Sequence, residues 1–396
     1  MIHQPPLTLY VHIPWCVRKC PYCDFNSHER RGDVPEAEYV DALVADLEAS
    51  LPDVWGRRLT AIFIGGGTPS LFKAASIDHL LTAIRTRMPV NAEAEITMEA
   101  NPGTFEADRF RGYREAGVNR LSLGVQSFDD RALAAIGRIH GGDEARRALD
   151  TALEVFGNVN ADLMYALPGQ SPEESAADIS EATARGATHI SAYHLTLEPG
   201  TRFHREPPPL PGEDAAADMQ DAIESALAAG GYEHYETSAF AKPGFRSRHN
   251  LNYWTFGDYL GIGAGAHAKL TFATGVRREA RLRQPQAYMR ATLSGKPMLE
   301  ARDVPEAELP FEFMLNALRL VEGFPIALFT ERTGLPIVAV NEPLDDAERR
   351  GLIARDHEWI RPTAQGRRFL NDLLEKFLPG DAPSTRTIPI EAVRRA

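Results

Sequence analysis

Short β-like runs alternate with amphipathic helical stretches through the first two hundred residues, at a spacing of about 30 residues. The runs are 7–13, 61–64, 95–99, 120–125, 159–165 and 189–197. Between them, residues 38–51 place Val40, Leu43, Val44 and Leu47 at the i, i+3, i+4, i+7 spacing that buries one helix face. Residues 77–86, 131–136 with 144–156, and 172–184 carry similar patterns. The spacing is the size of a βα unit. Strands joined by helices run parallel, because each crossover must pass over a face of the sheet. The expected class is therefore α/β, with six units that close most of a barrel or build an open doubly wound sheet.

The ends of the runs separate those two options. Tyr10 and His12 end the first, just ahead of three cysteines, and Gly65, Gly66, Gly67 and Thr68 follow the second. Glu99 and Asn101 close the third, Gln126 the fourth, Asp162 lies on the fifth, and Tyr193 and His194 on the sixth. Barrel strands collect functional groups on one face, whereas an open sheet uses mainly its switch point. Six contributing strands favour a partial (β/α)6 barrel.

The chain has 396 residues, enough for two or three domains and for a large core without disulfides. The expected division is 1–205 for the barrel, 206–300 for an extension, and 301–396 for a small C-terminal domain. A proline-rich stretch at 207–211 reads as an exposed connector. A helix over 214–229 stops at Gly230 and Gly231. A strand over 232–240 and a loop holding 248–254 are expected next. Gly261, Gly263 and Gly265 stand on alternate residues, which suits close backbone packing better than a phosphate loop. At the C-terminus, Phe311, Met314, Leu315 and Leu318 form a helix stripe, and a helix over 326–333 ends at Gly334. Helix, hairpin and helix over 347–352, 359–361 and 363–378 complete an order that resembles a winged helix. Residues 301–396 carry 16 acidic against 13 basic residues, which favours a packing or lid domain over a DNA reader.

The net charge of −12 likewise argues against a nucleic-acid partner. The N-terminus lacks a charged region ahead of a long apolar run, and Pro5, Pro6 and Pro14 interrupt it. No apolar run approaches the length of a membrane span. The expected address is cytoplasmic.

Cys16, Cys20 and Cys23 are the chain's three cysteines, in the spacing C-x3-C-x2-C. Too few for a disulfide framework, they suit an iron–sulfur cluster or zinc. Zinc asks for a fourth ligand, for which His12 and His28 are candidates. A cubane held by three thiolates leaves one iron open to a small molecule.

The cysteine spacing after a short strand, with Tyr22 beside the last cysteine, resembles the radical S-adenosylmethionine (SAM) proteins. That resemblance implies a [4Fe–4S] cluster on Cys16, Cys20 and Cys23, with SAM on the open iron. The runs 10–23, 65–69, 124–128 and 162–169 and the C-terminal domain are similar to the HemN-like branch. That branch contains the oxygen-independent coproporphyrinogen III oxidases and the haem chaperones, HemW. By position, Tyr10, Tyr22, Gly66, Gly67, Thr68, Glu99, Gln126, Arg138 and Asp162 match its SAM site, followed by Tyr193 and His267. Glycines there let backbone approach the amino-acid end of SAM, Glu99 suits its ammonium, and Arg138 its carboxylate.

Two departures separate the chain from the oxidases. Phe25 stands where they carry a further cysteine, and the first cysteine is already residue 16. The run Arg248-His249-Asn250-Leu251-Asn252-Tyr253-Trp254 resembles instead the haem-chaperone motif. The expectation is a haem chaperone in which His249, in an exposed loop, is an axial ligand, with Tyr253 and Trp254 as flat walls. Arg277, Arg278, Arg281 and Arg283 would meet the haem propionates. The implied partners are haem and a haem-accepting protein, a membrane-associated one included. The alternative is SAM-dependent oxidative decarboxylation of coproporphyrinogen III.

Overall fold

The computed structural model describes residues 4–103, 106–294 and 299–379. The expected domain limits at residues 1 and 396 lie outside them. Strand β1 (Leu7–Ile13) leads into β2 (Trp15–Cys16) and β3 (His28–Glu29), which pair with each other across the base of the cysteine loop. Then α1 (Glu36–Ser50), β4 (Leu59–Gly66), α2 (Ala74–Arg87), β5 (Val90–Ala100), α3 (Glu106–Ala116) and β6 (Arg120–Gln126) alternate. They are followed by α4 (Asp130–Ala135), α5 (Gly142–Phe156), β7 (Val159–Tyr165), α6 (Pro172–Arg185) and β8 (His189–His194). Strands β1, β4, β5, β6, β7 and β8 are parallel neighbours in that order, which is the expected six-unit partial barrel.

Local sequence explains the sharper boundaries. Helix α6 starts at a capping box of Ser171 and Glu174 with Pro172 in its first turn, and stops at left-handed Gly186. Helix α3 escaped the sequence reading because its short, charged stretch shows only Phe110 and Tyr113 as large apolar residues.

After the one-turn helix α7 (Arg202–Arg205) and α8 (Glu213–Ala229), the segment expected as one strand is two, β9 (Glu233–Glu236) and β10 (Ala239–Ala241). They form an antiparallel hairpin that extends the sheet beyond β8. The segment expected as an exposed loop is a helix, α9 (Arg248–Trp254), capped by the Ser247 side chain on the Asn250 N–H. Beyond it, β11 (Asp258–Ile262) adds to the free edge of β1 in parallel. Strands β12 (His267–Phe272) and β13 (Gly275–Arg281) follow, then α10 (Pro285–Leu293) and β14 (Leu299–Asp303). The result is one sheet of twelve strands with β14 and β9 at its ends, so the barrel stays open.

Alternate strand residues divide the two faces. Leu9, Val11, Ile96, Met98, Leu121, Leu123, Val159, Ala161 and Ile190 pack into the main apolar core. The opposite face, lining the barrel, carries Tyr10, Thr97, Glu99, Ser122, Asn160, Asp162 and Ser191, with Phe63 among them.

The C-terminal part has its own core, in which Phe313 meets Phe324 and Phe329 edge-on at 5.0 and 5.3 Å. It comprises α11 (Leu309–Ala317), β15 (Phe324–Pro325), α12 (Ile326–Thr333), α13 (Asn341–Arg349), β16 (Ile353–Arg355) and β17 (Trp359–Pro362), a winged-helix-like order. The helix expected over 363–378 is broken at Phe369 into α14 (Ala364–Arg368) and α15 (Leu370–Glu375). Among the described residues, no helix is long and apolar enough to cross a membrane.

Candidate functional site

The cysteine loop closes over the C-terminal ends of the barrel strands. Phe203 of α7 gives its N–H to the Pro21 carbonyl at 3.0 Å, and its ring lies 6.4 Å from Tyr22. Asn26 spends both hydrogens of its side-chain amide on the carbonyls of Ala264 and Arg283, each at 2.8 Å. Cys23 Sγ lies 3.7 Å from Ser27 Oγ, and Arg138 points an N–H at Cys20 Sγ from 3.8 Å. Burial pushes the Cys23 thiol up to about 11 and also raises Cys16. Thiolates there need a cation to hold their charge, which a metal cluster supplies.

The donor set discriminates between metals. His12 uses Nε2 on the Asn26 carbonyl at 2.9 Å and Nδ1 on the Tyr10 hydroxyl at 3.0 Å. His28 turns Nε2 to Asn26 and to the Arg283 carbonyl. Both Nε2 atoms are thus engaged in hydrogen bonds rather than free for a metal. Among the described residues, no three His, Cys, Asp or Glu side chains converge as around a single ion. Three sulfurs on one loop fit a cluster whose remaining iron is open.

The glycine turn lies directly against that loop. Gly67 donates its N–H to Ile13 and Thr68 donates to Trp15, each at 2.7 Å. Gly66 has φ +116°, and a Cβ there would come within 2.5 Å of the His12 ring. Its N–H goes to Glu99 Oε2 at 2.9 Å. From Thr68 the contacts pass to Asn101 at 3.0 Å and from Asn101 to Arg138 at 2.6 Å. Arg138 also donates to the Gly124 carbonyl at 2.7 Å, yet its buried Nε has no partner. Gln126 holds a left-handed φ of +68°, a costly conformation for a side-chain-bearing residue and a mark of functional positions.

Asp162 is fixed by Ser122 at 2.9 Å on one oxygen and by Asn160 at 2.9 Å on the other. Tyr193 ends β8 39% exposed. His267 opens β12, beside Gly261, which is itself in register with Tyr10. The strand ends thus bring together Tyr10, Tyr22, the glycine turn, Glu99, Gln126, Arg138 and Asp162 beside the cysteines. His267 stands two strands beyond β1.

His249 does not sit where the sequence suggested. It is 1% exposed, with Nε2 2.9 Å from the Tyr253 hydroxyl and Nδ1 without a partner. Its ring stacks under Phe63 at 5.0 Å and Tyr10 at 6.4 Å, so α9 forms the floor beneath the strand-end site. Burial lowers its pKa to about 3 and keeps it neutral. Tyr253 and Trp254 are also buried, Tyr253 edge-on to Tyr259 and Trp254 beneath the Arg319 guanidinium. Of the arginine run, Arg283 is exposed and lies beyond β13, whereas the other three are half-buried or buried and paired with acids. Arg281 is buried on Asp46 and Glu279, Arg278 pairs with Glu312, and Arg277 lies near Asp53 and Asp303. Those charges are spent on holding β13 in place.

Sequence reasoning placed Asn101 at a strand end without giving it a role, and left Ser122, Asn160 and Ser191 out of the site. Asn101 links Thr68 to Arg138, and Ser122, Asn160 and Ser191 surround Asp162. Asn160 and Ser191 lie two residues before Asp162 and Tyr193 on the same strands and so share their face, a signal the sequence carried.

Residues 10–180 match the family model of the radical SAM superfamily, and residues 304–369 that of the HemN C-terminal domain. Heme chaperone HemW of Escherichia coli strain K12 is 48% identical over 380 residues, covering 96% of this chain and 100% of that protein. A mouse protein, radical S-adenosyl methionine domain-containing protein 1, mitochondrial, is 34% identical, covering 94% of this chain and 87% of its own. Among solved structures, coproporphyrinogen III oxidase (HemN) of Escherichia coli superposes with a TM-score of 0.80 at 23% identity, over 94% of this chain and 90% of that one. That likeness establishes the shared fold.

Proposed function

The chain belongs to the HemW family of the radical SAM superfamily, and on that premise we propose that it binds haem and passes it to an acceptor protein. The observation that carries the reading is its end-to-end 48% identity with a protein named a heme chaperone. Cys16, Cys20 and Cys23 hold a [4Fe–4S] cluster in this reading. The cluster, when bound, offers redox chemistry and an iron position for SAM. Gly66, Gly67 and Thr68 bring backbone to the amino-acid end of SAM. Glu99 takes its ammonium, Arg138 its carboxylate, and Gln126 and Asp162 its ribose and methionyl groups. Tyr10, Tyr22, Tyr193 and His267 complete the surround.

His249 is the proposed axial ligand of haem iron, through its neutral imidazole. Because that ring is sealed under Phe63 and bonded to Tyr253, coordination requires α9 to leave the barrel floor. Tyr253 and Trp254 move with it and flank the porphyrin. The test is anaerobic reconstitution followed by haem titration and a coproporphyrinogen III turnover assay. A new Soret band with no turnover supports the chaperone. Decarboxylation by the SAM-loaded protein would replace it with the oxidase.

A further inference from the structure

Helix α9 and Asp162 are joined by one unbroken chain of buried hydrogen bonds. Ser247, the N-cap of α9, donates its N–H to the Tyr235 hydroxyl oxygen at 3.3 Å. That hydroxyl lies 2.7 Å from His189 Nε2, and His189 Nδ1 lies 2.6 Å from Asn160 Oδ1. Asn160 Nδ2 then donates to Asp162 Oδ1 at 2.9 Å and to Ser122 Oγ at 2.8 Å. Ser122 donates to Asp162 Oδ2 at 2.9 Å.

The chain has a direction. Asn160 Oδ1 can only accept, so the neutral His189 ring carries its proton on Nδ1 and its bare Nε2 accepts the Tyr235 hydroxyl hydrogen. The Tyr235 oxygen in turn accepts the Ser247 N–H. The amide nitrogen of Asn160 is left facing Asp162. The start of α9 is also held by Glu95, which accepts the N–H groups of Arg248 and His249 at 3.2 Å each. Undocking α9 withdraws Ser247 from Tyr235 and frees the hydroxyl that forms the first link of the chain, while Ser191 still donates to Asn160 Oδ1 at 3.1 Å.

We infer that the docked position of α9 and the fixed carboxylate of Asp162 are two ends of one switch, through which SAM and haem bind antagonistically. The inference rests on the reading that Asp162 contacts SAM and that His249 ligates haem. SAM bound at Asp162 favours the intact chain, the docked helix and the covered histidine. Haem that draws His249 out breaks the chain at Ser247 and loosens Asp162. Linkage makes the two effects equal in magnitude. SAM loading therefore promotes haem release. Tyr235, His189 and Asn160 act as positioning residues in this scheme.

The test uses the full chain with its cluster reconstituted. Hydrogen exchange of residues 247–255 is followed with and without SAM, and haem affinity is titrated under both conditions. In the wild type, SAM should slow exchange across α9 and weaken haem binding roughly fivefold or more. Tyr235→Phe keeps the ring and removes the hydroxyl link. It should still bind both ligands, with exchange and haem affinity no longer responding to SAM. His189→Gln, which cuts the chain one link on, serves should Tyr235→Phe fail to fold. Wild-type exchange that ignores SAM, or coupling unchanged in the variants, would overturn the inference. Absence of haem binding while SAM still protects α9 defeats the haem reading and leaves the linkage of α9 to Asp162 standing.

Discussion

The carboxyl group of Glu99 accepts the backbone N–H of Gly66 at 2.9 Å, tying the end of β5 to the glycine turn at the end of β4. Burial, with Asp162 as a further negative neighbour, pushes Glu99 up to about 8. One hydrogen bond from a backbone amide does not offset the loss of water, so burial favours the protonated acid in the free protein.

A pH dependence of stability follows. A carboxyl whose pKa is higher folded than unfolded leaves the native state with more bound protons between the two values, so its contribution falls as pH rises toward 8. Buried His12 and His249, lowered to about 4 and 3, act in the opposite sense below their unfolded pKa. Between pH 6.5 and 8 the melting temperature of the metal-free protein should therefore decline more steeply in the wild type than in Glu99→Gln. Parallel melting curves across that interval would exclude Glu99 as the cause.

Replacing Cys16, Cys20 or Cys23 by Ser should abolish the visible absorbance of the anaerobically reconstituted cluster and sharply lower bound iron. Stoichiometric zinc without iron in the wild type would refute the cluster assignment.

Glu99→Ala and Asp162→Ala should weaken SAM binding while the cluster spectrum persists. A hydrogen bond to a charged group is worth about 1.5–3 kcal/mol, or roughly tenfold to a hundredfold in affinity. Equilibrium binding that is unchanged in both variants would remove them from the site.

His249→Ala should shift the Soret band and speed haem loss, with residual apolar association remaining because haem is a large apolar ligand. It should also lower the melting temperature, since the imidazole fills space beneath Phe63 and Tyr10. An unaltered haem spectrum would sink the ligand assignment.

Gly66→Ala should cost about 2 kcal/mol or more and impair cluster retention, because its φ of +116° disfavours any side chain and the new Cβ would meet His12. A variant with normal melting and full iron content would show that the turn relaxes without cost.

The barrel was legible because each strand end is marked locally, by a βα period and by polar residues where the apolar run stops. The errors lie where structure depends on distant partners. Residues 248–254 are too few, and too rich in asparagine, to show a helix stripe, although Ser247 three residues before Asn250 was a capping signal. Glu95, which holds the start of that helix, is 152 residues away from Ser247 in sequence. Likewise Arg281 looked like part of a basic face because Asp46, its partner, lies 235 residues upstream. Neither pairing leaves a mark on the local sequence that periodicity can detect.

Asn26 fastens the cysteine loop to the carbonyls of Ala264 and Arg283. A nascent chain emerging from the ribosome exposes all three cysteines early, but the far anchors of their loop are synthesised some 240 and 260 residues later. The thiols therefore spend most of translation on a tether with one end untied. In the proposed reading, a cluster can enter a set loop only after Arg283 has been made, and chains that terminate before it should carry the three cysteines yet retain iron poorly.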